Sequence, residues 1–389
     1  MSALDTSSLL AYRVQFPVLA ERVYLASQCM GPFPKAGYAD IEDYLRARRL
    51  HNRALDDWFA RIEELTGLIE QLLRAPSGSV ALRDSATACQ AAVLACVEPT
   101  AKRNRIVVTE LDFHSSLHLY EAQRHRGFDV HVVRSPDDMR VLADDVAAAI
   151  DERTAIVGVS LVSRYSALLD VRPIIERARQ AGAIVVVDAY QAVGVVPLDV
   201  TQLQVDVLVA GMHKWLSGET GLAFLYVRPD LAERLAPVYP GWFGHHDLGD
   251  FVHTHTFGDA YRPMPGARRF QQGTPPMLPI YASRAGLRFV LDAGVESIRH
   301  RNLELSERLV AGAEQLAVEI ATPRDPEERA GGICLRVPDP ERVVALLGEV
   351  GIDVDQRRRT VVRVAPHACT THDECDRFIR AFARVLGKA

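Results

Sequence analysis

Between Ala183 and Val227 the chain alternates short, mainly apolar runs with turn residues; the runs are Ala183 to Val187, Val205 to Val209 and Leu222 to Val227. Strands covered on both faces need runs of this kind, so the pattern predicts three buried strands of a parallel sheet. Upstream, the same kind of run opens SVALRDSATACQAAVLACV, RIVVTELDFHSSLHLY and AIVGVSLVSRYSALLDV, and another spans Phe128 to Val133. Helices are predicted between them, at Val141 to Ile150 and Val171 to Ala181. From Ile41 to Leu73, Tyr44, Leu45, Leu55, Trp58, Phe59, Ile62, Leu65, Ile69 and Leu72 recur at helical spacing. Strands alternating with helices make an α/β domain with a mainly parallel, doubly wound sheet, whose ligands sit at the carboxyl ends of the strands.

From about residue 280 the pattern changes. A long helix is predicted from Ile280 to Asp292, resuming after Gly294 to about Leu316. Two strand-like segments, GGICLRV and TVVRVAP, then alternate with helices at Pro340 to Val350 and Thr371 to Leu386, an α+β arrangement. The expected division is an N-terminal arm (1–45), a large domain (46–275) and a smaller C-terminal domain (276–389).

The first central run ends in Asp188 and the second leads to Gly211-Met212-His213-Lys214, so a carboxylate and a lysine stand at neighbouring strand ends. A lysine amine can hold pyridoxal 5'-phosphate as a Schiff base, and a carboxylate facing the pyridine nitrogen keeps that ring protonated and electron-accepting. Ser85, Ala86 and Thr87 fall at a predicted helix start, where free N–H groups and the helix dipole favour a phosphate.

Composition narrows the classes. The 389 residues are 48% hydrophobic and 24% charged, with a net charge of −5, which leaves no basic face for nucleic acid. No run of about 18 apolar residues occurs, so no membrane span is expected. The N-terminal residues lack the basic start and apolar core of a signal peptide, and the expected location is cytoplasmic. Six cysteines without C-x-x-C spacing read as reduced thiols. The histidines at 245, 246, 253 and 255 lack the spacing of a zinc site, and no metal is expected.

The stretch D-x-x-x-x-x-G-x-x-P-x-D starting at Asp188, followed by a strand and G-x-H-K-W-L-x-G, resembles the class V branch of the fold-type I pyridoxal-phosphate enzymes. That branch includes kynureninases, cysteine desulfurases and isopenicillin epimerase-like proteins. Gly241-Trp242-Phe243-Gly244-His245, then Pro-Gly-x-Arg-Arg-Phe, Gly-Thr-Pro-Pro and Val-Arg-Val-Ala-Pro around Arg363, are similar to kynureninases in particular. The resemblance implies a seven-stranded, mainly parallel sheet with helices on both faces, pyridoxal 5'-phosphate, and a homodimer with shared active sites. It gives Lys214, Asp188 and His213 the catalytic roles, Ala86 and Thr87 the phosphate, and Phe113 the face of the cofactor ring. Gln191 lies over the cofactor, and Trp242 and Thr274 reach the phosphate in the other subunit. Arg363 binds the substrate α-carboxylate, with Arg357 a weaker choice. Arg164 stands in the cofactor-facing loop, either as a ligand for an acidic substrate group or as a solvated loop residue. Gln28 either contacts substrate or belongs to an arm packed on a neighbouring subunit.

Three departures from the kynureninase pattern stand out. Gln28-Cys29-Met30-Gly31 takes the place of Asn-Ser-Leu-Gly, Gln191 replaces a histidine, and His213 replaces a tyrosine, as in desulfurases and epimerases. The expected activity is hydrolysis of the Cβ–Cγ bond of kynurenine or a ring-substituted relative to an anthranilate and alanine. The alternative is another class V reaction, a β-lyase, epimerase or decarboxylase acting on an unusual amino acid. Sulfur transfer is disfavoured because VDQRRRTVV carries no cysteine, and a regulatory protein because Asp188 and Lys214 are both intact.

Overall fold

The computed structural model describes residues 6–49, 54–246, 261–357 and 360–388. Its strands are β1 (Val23–Tyr24), β2 (Val80–Arg83), β3 (Arg105–Thr109), β4 (Asp129–Val133), β5 (Thr154–Ser160), β6 (Ile184–Asp188), β7 (Val207–Gly211), β8 (Ala223–Val227), β9 (Ile333–Arg336), β10 (Ile352–Asp353), β11 (Asp355–Arg357) and β12 (Val361–Val364). Seven of them form one sheet in the order β2-β8-β7-β6-β5-β3-β4. Strands β3 to β7 pair in parallel, as the apolar runs predict.

One expectation is corrected: β8 lies antiparallel to both β7 and β2. Only Met212 to Leu222 separate β7 from β8, and this link holds no helix. A parallel return needs a crossover of about a dozen residues or more, usually helical, so the chain turns back instead. Lys214 therefore sits on a tight return between two antiparallel strands.

Alternation along each strand sends side chains to opposite faces, and each face has its own core. Val185 and Val187 join the core that includes residues from the helices Ala54–Leu73, Arg172–Ala181 and Met277–Ala293. Val186 joins the other, with Cys89 and Val93 of helix Ala86–Leu94, Tyr120 of helix His114–Ala122, and Leu231 of helix Pro229–Arg234. Helix Lys35–Arg49 runs across the expected 45/46 division and packs on helix Met277–Ala293.

The C-terminal part builds a third core around the antiparallel sheet β11-β12-β9 and helices Val295–Gln315, Pro340–Glu349 and His372–Val385. The N-terminal segment packs on this part of its own chain. Strand β1 pairs in parallel with β10, Ala26 bridges to Ala365, and Arg13 forms an ion pair with Glu374 at 2.8 Å.

The return carrying Lys214 is pressed from two sides by glycines. A Cβ at Gly31 would collide with the carbonyl oxygen of Lys214, and one at Gly286 with the carbonyls of Leu216 and Ser217. The Gly31 N–H donates to the carbonyl of His213 at 2.7 Å. Helix propensity alone would make Gly286→Ala stabilising by about 1 kcal/mol. The collision reverses that sign: a net loss of about 1–3 kcal/mol is expected, read from urea unfolding midpoints, and a gain would show that the return yields freely.

Candidate active site

A cavity of about 300 Å³ opens at the carboxyl ends of the central strands. Asp188 closes β6, and Lys214 leaves the turn after β7; both line the cavity with Phe113, Tyr190, Gln191 and His213. Arg357 of β11 and Arg363 of β12 reach the same space from the C-terminal sheet.

Nζ of Lys214 lies 4.5 Å from the ring centre of Tyr190 and 5.7 Å from that of Phe113. Burial pushes this amine down to about 8; Asp188 opposes the shift, while Arg363 and Arg357 add to it. Burial likewise raises Asp188, against the backbone N–H of Tyr190, the charge of Lys214 and the hydroxyl of Ser116. Oδ1 of Asp188 accepts from Tyr190 N at 3.0 Å, and Ser116 Oγ donates to Oδ2 at 3.5 Å. Gln90 Nε2 in turn donates to Ser116 Oγ at 2.9 Å, fixing that hydroxyl from behind.

The helix Ala86–Leu94 points its first turn at the cavity, with Ala86 and Thr87 on the wall. Ser85 caps it, its Oγ accepting from Ala88 N at 3.1 Å. Phe113 is 51% exposed; its ring lines the cavity and stacks on that of His114 at 5.8 Å. Its loop is held by Asp112, which is buried and accepts from Thr109 N at 2.8 Å and Ser160 N at 2.6 Å, tying the ends of β3 and β5. Burial raises the Asp112 carboxyl to about 6 against those two amides.

Arg164 lines the cavity and also stitches the Phe113 loop. Its Nη2 donates to the carbonyls of Asp112 at 2.6 Å and Glu110 at 3.2 Å, and its Nε to Leu111 at 3.4 Å. Arg363 is buried and clasped by Asp355, with Nε to Oδ1 at 2.6 Å and Nη2 to Oδ2. Nη1 of Arg363 donates to the Arg164 carbonyl at 3.3 Å, and Arg357 Nη2 lies 3.5 Å from Asp355.

Gln191 is tethered on both ends of its amide. Nε2 donates to the Gln28 carbonyl at 3.0 Å, and Oε1 accepts from Trp215 Nε1 at 3.2 Å. Gln28 is thus buried behind Gln191 and off the cavity wall, within its own chain. Trp242 and Thr274 are also absent from this wall. Thr274 lines a separate cavity of about 190 Å³ with Phe243 and Arg83, while Trp242 is 41% exposed and packs edge-on against Phe243.

His245 is buried and its Nε2 accepts from Arg262 N at 3.2 Å. Histidines 253 and 255 lie outside the described residues, and among the described ones no group of three or more His, Cys, Asp or Glu could hold a metal. Sequence reasoning passed over Tyr190, Ser116, Asp112 and Asp355. The first is visible as an aromatic two residues after Asp188, but the other three depend on contacts between distant segments.

The donor set suits one cofactor: an amine of lowered basicity, a carboxylate across the floor, a helix start for a phosphate and an aromatic face. An α/β sheet bearing this pair defines a fold-type I enzyme of pyridoxal 5'-phosphate. The chain belongs to the class V aminotransferases, whose family model matches residues 24–381. It is 29% identical to an uncharacterised aminotransferase, YcbU, of Bacillus subtilis, over 93% of this chain and 94% of the relative. It is 27% identical to a kynureninase of Deinococcus radiodurans, over 99% and 95% of the two chains. In fold it is similar to the apo cysteine desulfurase of Thermococcus onnurineus NA1, with a TM-score of 0.86, 22% identity and full coverage of both chains. A cystine C–S lyase, C-DES, in complex with cysteine persulfide aligns with a TM-score of 0.85 at 22% identity, over 95% of this chain and 99% of that one.

In cofactor-free protein, labelling of Lys214 by an amine-reactive reagent, followed by mass spectrometry across pH, should have its midpoint near the lowered value of about 8. Asp188→Asn removes the charge that holds the amine up, so the midpoint should fall further. A midpoint at the ordinary lysine value of about 10.4 would contradict the burial argument.

Proposed function

We propose that this enzyme is a kynureninase-type hydrolase. Phe113 carries the reading: an aromatic ring, lining the cavity and facing the Lys214 amine at 5.7 Å, at the place where kynureninases keep a ring-stacking phenylalanine. The kynureninase relatives and the Gly-Trp-Phe-Gly-His run support it.

When bound, pyridoxal phosphate supplies an electron sink conjugated to the substrate nitrogen. Lys214 would hold the cofactor through its amine. The Lys214 amine, with its lowered basicity, would take the α-proton of a bound amino acid close to neutral pH. Asp188 keeps a proton on the ring nitrogen, and its anchorage by Tyr190 N and Ser116 Oγ fixes its aim. Ala86 and Thr87 bind the phosphate at the helix start, and Phe113 covers the ring face.

Arg363 binds the α-carboxylate through its planar fork. Asp355 occupies that fork and hands it over by shifting toward Arg357, whose Nη2 is 3.5 Å away. Lys214 belongs to the large domain and both arginines to the small one, so the substrate bridges the two. Arg164 acts by holding the Phe113 loop and Gln191 by tying Gln28 to the Trp215 segment. Water adds across the Cβ–Cγ bond, its hydroxyl to the aryl carbonyl carbon and its hydrogen to Cβ, giving an anthranilate and alanine. His213 and Lys214 carry the later protons. Trp242 and Thr274, off this cavity, serve the partner subunit's phosphate in a homodimer.

A second reading, another class V reaction on a different amino acid, is favoured by His213 in place of tyrosine and by the tethered Gln191. The deciding experiment mixes the pyridoxal-phosphate-loaded protein with kynurenine and with 3-hydroxykynurenine. Equal release of an anthranilate and alanine is expected; a change in the cofactor's visible spectrum without product would transfer the assignment to the second reading. Lys214→Ala should abolish turnover and the lysine-linked absorbance together, and a variant keeping that absorbance would refute the role of Lys214. Arg363→Lys loses the two-point grip, and KM should rise about 10- to 100-fold with a smaller change in kcat. An unaltered KM would place the carboxylate elsewhere.

A further inference from the structure

Tyr190 follows Asp188 by two residues. Its phenol oxygen lies 2.9 Å from Nδ1 of His213, and its ring faces the Lys214 amine at 4.5 Å. The two rings are tilted by 57°, so what joins them is the hydrogen bond and not a stack. Gly211, at the end of β7, makes the room: a Cβ there would collide with the Tyr190 phenol. A bulky residue is thus fitted against a strand end that only glycine leaves open, beside the lysine.

The direction of that hydrogen bond follows from what each group can offer. A phenol has one proton to donate, and among the described residues His213 Nδ1 is its one hydrogen-bond partner. If Nδ1 carried the proton, the enclosed phenol hydrogen would lose its acceptor, at the cost of an unmade hydrogen bond. Burial, reinforced by Asp188 and Cys89, keeps the phenol protonated. Burial and then Lys214 keep the imidazole neutral, with Glu219 opposing. A neutral imidazole accepting at Nδ1 carries its hydrogen on Nε2.

We propose that Tyr190 is a positioning residue that fixes His213 as the Nε2–H tautomer, offering a neutral hydrogen-bond donor to an anionic oxygen bound beside Lys214. No bond changes and no proton is transferred in this role. The proposal rests on the reading of this cavity as the cofactor site. The oxygen belongs either to the cofactor phosphate or to the substrate; both demand the same donor.

The test starts with histidine-labelled nitrogen NMR of the cofactor-loaded protein, the His213 signals being assigned by their loss in His213→Gln. Wild type should show a protonated Nε2 and a bare, hydrogen-bonded Nδ1, and Tyr190→Phe a mixture of tautomers. Affinity for pyridoxal phosphate and the steady-state constants then separate the two oxygens. Roughly tenfold weaker cofactor binding in Tyr190→Phe assigns the phosphate, and a roughly tenfold lower kcat at unchanged cofactor affinity assigns the substrate. In either case the double variant Tyr190→Phe/His213→Gln should lose no more than His213→Gln alone. A wild-type Nδ1–H tautomer, an unshifted tautomer in Tyr190→Phe, or a full Tyr190→Phe effect without His213 would each overturn the proposal. If the wild type takes up no pyridoxal phosphate, the cofactor reading fails, and the His213 tautomer in cofactor-free protein still decides the role of Tyr190.

Discussion

The enclosure of one amine and one carboxylate in a shared, poorly solvated space is the constraint on which this structure rests. Burial alone drives each toward its neutral form, and their mutual attraction opposes both shifts, so neither charge can be understood without the other. Removing one member would leave the other enclosed without its counter-charge, which costs far more than a surface pair returns. The parallel strands β5, β6 and β7 fix the spacing of the pair, because their register aligns Ser160, Asp188 and Val209 at one edge. Helices on both faces of the sheet keep that edge from water except through the cavity mouth.

The walls are set by backbone contacts more than by apolar packing. Asp112 and Arg164 bind amides and carbonyls around the Phe113 loop, and glycines 31 and 286 let two other segments close on the lysine return. Arg363 and Asp355 form the opposite side, a charged clasp. An enzyme that admits a charged amino acid needs such polar, preorganised walls, since each donor is already paired and pays little to be reorganised.

Much of this was legible in the sequence, and for identifiable reasons. Strands β3 to β7 appear as apolar runs because both of their faces are covered, and Asp188 and Lys214 appear as polar residues ending such runs. The orientation of β8 was missed because an apolar run carries no direction; the shortness of Met212 to Leu222 held the answer. Gln28 was placed near the substrate because its neighbours in sequence resemble a binding loop, whereas its carbonyl holds Gln191 from behind. Ser116 and Asp112 were invisible because their partners, Asp188 and Ser160, lie in other strands. Tyr190 was legible as a residue but not as a hydrogen-bonding partner, since the loops after β6 and β7 meet only in three dimensions.

The pairing of β1 with β10 sets an order of events during synthesis. Arg22 meets Asp353 at 2.6 Å, 331 positions apart along the chain, so on a ribosome the N-terminal segment waits for Asp353 to emerge. Until then β1 lacks its partner strand β10. The sheet and its lysine return can form first, with the pocket's wall of Arg357 and Arg363 still missing. Completion of the binding pocket is therefore tied to β11 and β12, and a nascent polypeptide does not own a finished site until those strands are made.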